Sequence, residues 1–280
     1  MQVSLEPTVG LNRSGYFKTR LLALLFLPLP TMVAVAKDWP RFLGPDCDGV
    51  SQETGWSTAW SGSGPKVLWR TEVGTGFSGV SVSKGRVYTM GSRKGLEYVY
   101  CLDSESGAEI WSASYPAKLF DRNHEGGPSV TPTVDGGFVY TLGKAGRLCC
   151  VAADSGKVVW SSDLVARFDP IVPMYGFCGS PWIEGDKLIV DVGSIVALNK
   201  RTGDLIWKSP RRKVGYASPI GFDFNGGRFA ATLNAYGRFE DFMITFVTYP
   251  FLYRCAHCSA RAFYRDKENE EPLCGRCLRK

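Results

Sequence analysis

From Ser78 onward the chain alternates apolar and polar residues in short runs that end at Gly, Asp or Asn, a period-two pattern that predicts β-strands separated by tight turns. Ser78 to Met90 reads as two strands joined at Lys84-Gly85, and Ser129 to Leu142 as two joined around Asp135-Gly136-Gly137. A third pair runs from Ser180 to Val192 around Glu184-Gly185-Asp186, and a fourth from Ser218 to Thr232 around Asn225-Gly226-Gly227. Each of the first three is followed by another strand and then by an element with the pattern Gly-x-x-x-Trp, ending at Trp111, Trp160 and Trp207. A degraded copy, GlyProLysValLeuTrp, ends at Trp69. The Trp-to-Trp steps are 42, 49 and 47 residues, the period of one four-stranded propeller blade. No part of the repeat region keeps a helical period, so the expected fold is all-β: a partial β-propeller of about four four-stranded blades.

The residues of the repeat have physical reasons. Gly107, Gly156 and Gly203 supply the positive φ that a tight turn needs. Four positions earlier, Asp103 and Asn199 can accept hydrogen bonds from turn amides, whereas the second copy carries Ala152 there, with Asp154 two residues on. The Trp offers a flat surface of order 200 Å² for packing against a neighbouring blade. Six residues before each Gly stand Cys101, Cys150 and Ala197, a column that asks for a small buried side chain.

The two ends of the chain differ from the repeats. Residues 1–36 read as a signal peptide: Arg13, Lys18 and Arg20, then the apolar run Leu21 to Val33, then Ala34-Val35-Ala36 as a cleavage site. That run is short for a membrane span and contains Pro28 and Pro30, so no transmembrane span is expected once it is cleaved, and the mature chain is expected to be extracytoplasmic, periplasmic or secreted. The net charge of +6 divides into +2 for residues 1–36, +1 for 37–253 and +3 for 254–280. The repeats are nearly neutral; Arg211-Arg212-Lys213 is read as a solvated loop, and no nucleic-acid partner is expected.

Residues 238–280 break the pattern. Where the next docking element should follow, an aromatic stretch leads into Cys255-Ala-His-Cys258 and, after fifteen residues, Cys274-Gly-Arg-Cys277. Cys255, Cys258, Cys274 and Cys277 have the spacing of a zinc ribbon, with His257 able to substitute as a ligand. Three readings stay open: a zinc knuckle, disulfides formed after export, and a tail that is not a selected element, such as out-of-frame translation. The domain expectation is therefore 1–36, 37–237 and 238–280.

The docking elements resemble those of pyrroloquinoline quinone (PQQ)-type propellers, and so do Asp38-Trp39-Pro40-Arg41-Phe42-Leu43-Gly44-Pro45 and the hairpins at 131–143 and 176–190. The resemblance covers about residues 38–237 and implies a quinoprotein-like β-propeller of the exported bacterial type, a family whose rings commonly have eight blades. With about four blades here, an incomplete ring, a tail that caps the open edge, or a homodimer that closes the ring are the expectations. The family contains non-catalytic scaffolds that bind envelope proteins and also PQQ- and calcium-dependent dehydrogenases. The leading expectation is a non-catalytic binding or scaffold module for envelope proteins or a polymeric ligand; the alternative is a PQQ-dependent oxidoreductase present as an incomplete copy.

The family's dehydrogenases often carry a vicinal disulfide over the quinone, which Cys149-Cys150 invites. The repeat instead places Cys150 in the small-residue column, so both are read as structural. Asp121, Glu125, Asp169 and Asp191 are read as solvated loop carboxylates, and His124 as a loop histidine without a nucleophile to serve. No catalytic residue is assigned.

Overall fold

In the computed structural model the described residues are 37–224 except 56, 58, 61 and 63, together with four later strand segments. Residues 1–36 and Cys255, Cys258, Cys274 and Cys277 lie outside them. Three four-stranded antiparallel sheets follow one another in simple up-and-down order. Blade one is β1 (Ser81–Ser83), β2 (Arg86–Arg93), β3 (Leu96–Asp103) and β4 (Glu109–Pro116). Blade two is β5 (Thr133–Asp135), β6 (Phe138–Leu142), β7 (Arg147–Ala152) and β8 (Val158–Asp163). Blade three, which follows α1 (Leu164–Phe168), the one helix among the described residues, is β9 (Trp182–Glu184), β10 (Lys187–Asp191), β11 (Ile195–Asn199) and β12 (Leu205–Lys208). A fourth sheet contains β13 (Ile220–Phe224), β14 (Gly227–Ala235) and β15 (Phe242–Thr248) in the same order. A two-stranded sheet, β16 (Tyr264–Arg265) with β17 (Pro272–Leu273), falls in the Cys-rich region. The first three expected hairpin turns lie where the turn residues put them; Asn225 and Gly226 of the fourth lie outside the described residues. Helix α1 is one turn long, too short to leave a period in the sequence, and is capped by Asp163, whose carboxylate accepts from the Val165 and Ala166 amides.

Each blade touches the next along an outer and an inner line. On the outer line, the Trp of one blade docks on the Gly of the following blade. Trp111 of β4 lies over Gly156, and Trp160 of β8 over Gly203. Trp69, which precedes blade one, lies over Gly107. A Cβ on Gly156 would stand 2.8 Å from the Trp111 ring, and one on Gly203 3.0 Å from that of Trp160. These glycines, with φ of 71°, 73° and 77°, thus supply both the left-handed turn and the bare face on which the ring rests. The indole NH donates each time to the carbonyl three residues before the Gly: Trp69 to Ser104 at 3.0 Å, Trp111 to Ala153 at 3.0 Å, Trp160 to Lys200 at 3.1 Å. Side-chain support of the turn follows expectation, since Asp103 accepts from the Glu105 and Ser106 amides and Asn199 from those of Arg201 and Thr202. In the second copy the turn closes on backbone alone, Gly156 N to Ala152 O at 2.9 Å, as Gly107 N does to Asp103 O.

The small-residue column sits beneath the Trp. Cys101, Cys150 and Ala197 are fully buried, pair across the ladder with Trp111, Trp160 and Trp207, and are each followed by a β-bulge. On their other side stand Tyr88, Tyr140 and Ile189. The ring centroids of Tyr88 and Trp111 are 6.0 Å apart and those of Tyr140 and Trp160 6.4 Å, so a thiol or methyl is what fits between.

The inner line is polar. Ser78 donates to the Val130 carbonyl at 2.7 Å, the Thr131 amide donates to Ser180 Oγ at 2.9 Å, and the Ser180 amide donates to Ser218 Oγ at 2.9 Å. The stretch 38–47 runs along the short first strands of successive blades. Trp39 exchanges two backbone bonds with Val82, Asp38 receives the Ser83 hydroxyl and the Lys84 amide, and the Pro40 carbonyl receives the Val134 amide. Arg41, Phe42 and Cys47 then meet Ser180–Trp182 and Ser218–Ile220 around a cavity of about 10 Å³, room for about one water.

Candidate interaction face

The four connections that lead into the blades, 70–80, 117–132, 164–181 and 209–219, each contribute one ring to a continuous row. Phe77 and His124 meet edge to face with centroids 5.3 Å apart, while the tilted pairs His124–Tyr175 and Tyr175–Tyr216 stand at 5.1 Å and 5.8 Å. Local bonds hold the row. His124 Nδ1 accepts the Gly126 amide at 2.8 Å, which puts the proton of a neutral ring on Nε2, and Asn123 donates to the Tyr175 hydroxyl at 3.1 Å. Its margin is open and apolar, with Phe77 55% exposed, Met174 52% and Tyr216 41%. This row has no period along the chain, because its members come from connections of different length; only His124 stood out as one of them.

Near this row lies a buried polar group. Glu97, fully buried, accepts from the Tyr115 hydroxyl at 3.0 Å and from the Lys144 amide at 3.3 Å. Burial raises the Glu97 carboxyl above its usual range, only partly opposed by those hydrogen bonds and by Lys144. Burial, reinforced by the charge of Glu97, carries the Tyr115 phenol well above its ordinary value. Cys178 is likewise pushed up by burial, with Lys144 acting in the other direction. None of these is an activated nucleophile.

The vicinal cysteines lie inside β7, pointing to opposite faces as consecutive strand residues do, and both are free thiols. Burial pushes Cys149 up to about 12 and Cys150 to about 11, so neither is a thiolate at neutral pH. Asp121 and Glu125 are exposed, and Asp169 is exposed and paired with Arg211 at 3.3 Å, as expected of loop carboxylates. Two expectations are corrected. Asp191 is not solvated: it is 3% exposed and accepts from Arg212 at 2.6 Å, Thr232 at 2.7 Å and the Gly193 amide at 3.0 Å. Arg212 correspondingly leaves the solvated cluster Arg211-Arg212-Lys213 for this buried pair, which ties blade three to β14. The misreading arose because a charged residue at a strand end looks the same in sequence whether it faces water or the next blade.

The described residues therefore do not fit the PQQ and calcium arrangement that the resemblance implies. The cysteine pair stands within a strand with its two side chains on opposite faces, and Asp191, a buried carboxylate at a strand end, is already engaged by an arginine, a hydroxyl and an amide. Among the described residues no three His, Cys, Asp or Glu side chains converge.

Residues 95–222 match the family model described as outer membrane protein assembly factor BamB. The chain is 26% identical over 147 residues to the outer membrane protein assembly factor BamB of Burkholderia pseudomallei, covering 51% of this chain and 34% of that protein. It is 27% identical over 146 residues to the quinoprotein alcohol dehydrogenase PedH of Pseudomonas putida, covering 46% of this chain and 22% of that one. Among solved structures, the quinohemoprotein alcohol dehydrogenase ADHIIG of Pseudomonas putida aligns with a TM-score of 0.46 at 18% identity over 59% of this chain and 30% of its own. BamB of Moraxella catarrhalis aligns with a TM-score of 0.37 at 19% identity over 55% and 42%. The chain thus spans about a third or less of the length of the curated relatives it matches. Its repeats, docking contacts and sheet order are those of a partial β-propeller built from PQQ-like repeats, similar over residues 95–222 to that family.

Proposed function

We infer that the chain is an extracytoplasmic, non-catalytic binding or scaffold module of the cell envelope, and that it engages its partner through the row Phe77, His124, Tyr175 and Tyr216. The observation that carries this reading is the row itself: four successive connections each place a ring in one line, and the margin stays exposed. Rigid aromatic side chains on a fixed scaffold are what protein-binding hot spots are made of. The match of 95–222 to the assembly-factor family and the signal-like segment at 1–36 support an envelope setting. Photo-crosslinking in cells from position 77 or 216 tests it. Envelope proteins should be captured, and capture should fall at least tenfold in Phe77→Ala/Tyr216→Ala while the melting curve is unchanged. Capture indifferent to that double substitution removes the reading.

The PedH relative supports a second reading, a PQQ-dependent dehydrogenase of which this chain is a part. Titration with PQQ and Ca²⁺ separates the two: absence of a quinone absorption band and of dye-linked alcohol oxidation at saturating cofactor dismisses it. The zinc reading of Cys255, Cys258, Cys274 and Cys277 stands apart from both and predicts about one zinc per chain.

A further inference from the structure

We propose that Lys144 is a link through which the protonation state of the buried Glu97 sets the position of Tyr175 in the ring row, so that the face answers to pH.

Three successive elements meet at Lys144. Glu97 stands on β3 of blade one, Lys144 on the turn between β6 and β7 of blade two, and Tyr175 on the connection into blade three. The backbone of Lys144 joins the other two. Its amide donates to Glu97 Oε1 at 3.3 Å, and its carbonyl receives the Phe177 amide at 2.9 Å. Neither contact has slack. A Cβ on Gly143 would overlap Glu97 Oε2, and one on Gly176 would stand 2.6 Å from the Lys144 carbonyl oxygen and 2.8 Å from the Lys144 Cβ. Lys144 and Phe177 are each 1% exposed, so the junction is close-packed. The Gly176 amide bonds back to the Pro173 carbonyl at 2.9 Å and closes a turn whose two central residues are Met174 and Tyr175. Tyr175 thus rides on a turn seated on Lys144, and Lys144 hangs from Glu97.

The titratable and charged groups around the Glu97 carboxyl come from each neighbouring element. Tyr115 of β4 donates its hydroxyl to Oε2 at 3.0 Å, the turn brings the Lys144 ammonium, and β7 brings Cys149. Arg147 of β7 acts on Tyr115 and Cys149, and Cys178 of the connection lies by Lys144. Burial raises Tyr115, Cys149 and Cys178, whose ordinary values already lie above neutrality, so these three stay protonated at neutral pH. The Glu97 carboxyl is the acid of the cluster that titrates on the acid side, at a value raised by burial. Its ionisation leaves a carboxylate enclosed by two donors. A hydrogen bond to a carboxylate is shorter and roughly twice as strong as one to a neutral acceptor. The Lys144 amide is therefore drawn toward blade one as pH rises, and the Phe177 amide follows, held on the Lys144 carbonyl. Tyr175 then shifts against its neighbours in the row, His124 at 5.1 Å and Tyr216 at 5.8 Å.

The consequence for binding rests on the row being the interaction face; the movement of Tyr175 does not, and it is read on the free protein. The backbone amides of Lys144, Tyr175 and Phe177 are followed by NMR in the full, isotope-labelled chain from about pH 4 to about pH 8. All three should share one transition, with its midpoint above the ordinary carboxylate range. Glu97→Gln should abolish that transition at all three. Tyr115→Phe removes a donor that favours the carboxylate, so it should move the shared midpoint up, with the three amides moving together. A wild type without a shared transition overturns the proposal. So does a Tyr175 transition that survives Glu97→Gln unchanged, as one driven by His124 would, or one that stays in place when Tyr115→Phe moves the Lys144 midpoint.

Discussion

The outer and inner lines of contact between blades do the same job with opposite chemistry. The outer line uses one large ring per blade on a bare glycine, so each junction is a patch of apolar area with the indole bond and one further side-chain bond, from Thr71, Arg86 or Arg167, at its edge. The inner line uses Ser78, Thr131, Ser180 and Ser218, small groups whose value lies in satisfying buried backbone amides and carbonyls where the first strands crowd together. Apolar area tolerates small shifts, whereas a short hydroxyl bond does not. The outer docks therefore supply cohesion and the inner seam sets the spacing of the blades.

The largest effect should come from breaking one outer dock. Trp111 is 8% exposed and packs on Tyr88, Cys101 and Gly156, so Trp111→Ala leaves a cavity between blades one and two and should cost about 3–5 kcal/mol in chemical denaturation. A loss below about 1 kcal/mol would show that the docks are not the source of cohesion. Next comes the inner seam. Ser180 is 3% exposed, and its hydroxyl receives the Thr131 amide; Ser180→Ala strands that amide and should cost about 1–3 kcal/mol, with faster hydrogen exchange confined to residues near 131 and 180. An exchange increase spread over all blades would contradict the division of roles.

The same contrast explains what could be read in the sequence. The outer line was legible because its residues are few, unusual and locked to one register: a Trp, a Gly four residues earlier, and a small residue opposite the ring. Even Cys150 could be placed, since the column demanded a small side chain whatever its chemistry. The inner line was not legible, because Ser and Thr are common and their contacts are with backbone, which imposes no partner residue. Asp191 failed for a related reason: its partners Arg212 and Thr232 lie 21 and 41 residues away in sequence and meet it only once blades three and four are side by side. The ring row was hidden because its spacing follows the connections and not the blades.

A smaller, pH-dependent effect separates buried polar groups from exposed ones. Glu97 lies between blades one and two, and burial raises its folded carboxyl above the unfolded value. For such a group the stabilising contribution is present below the unfolded value and is lost as pH rises through the raised folded value, because ionisation then has to occur in a buried site. Stability from this source should therefore decline from the acid side toward neutrality, and Glu97→Gln should flatten that decline. Urea midpoints at pH 4 and pH 7 measure it; an unchanged difference between wild type and variant would mean that Glu97 does not titrate in this window.

The smallest effect belongs to Asp103, on the exposed side of the outer dock, and its sign is opposite. The Ser106 hydroxyl and amide, with the Glu105 amide, hold its carboxyl below the usual range. Its contribution is present above the unfolded value and is lost as pH falls through the depressed folded value. Asp103→Ala should accordingly lower stability slightly at neutral pH and leave it unchanged well below that range. The second repeat has already made this substitution: Ala152 stands at the equivalent position, and Trp111 still docks on Gly156 with its indole bond intact. Ala152→Asp should thus give a small gain that disappears in acid, the mirror image of the loss in Asp103→Ala. If instead either change displaced its Trp, seen as a shift in indole fluorescence, the turn side chain and not the glycine would be what positions the dock.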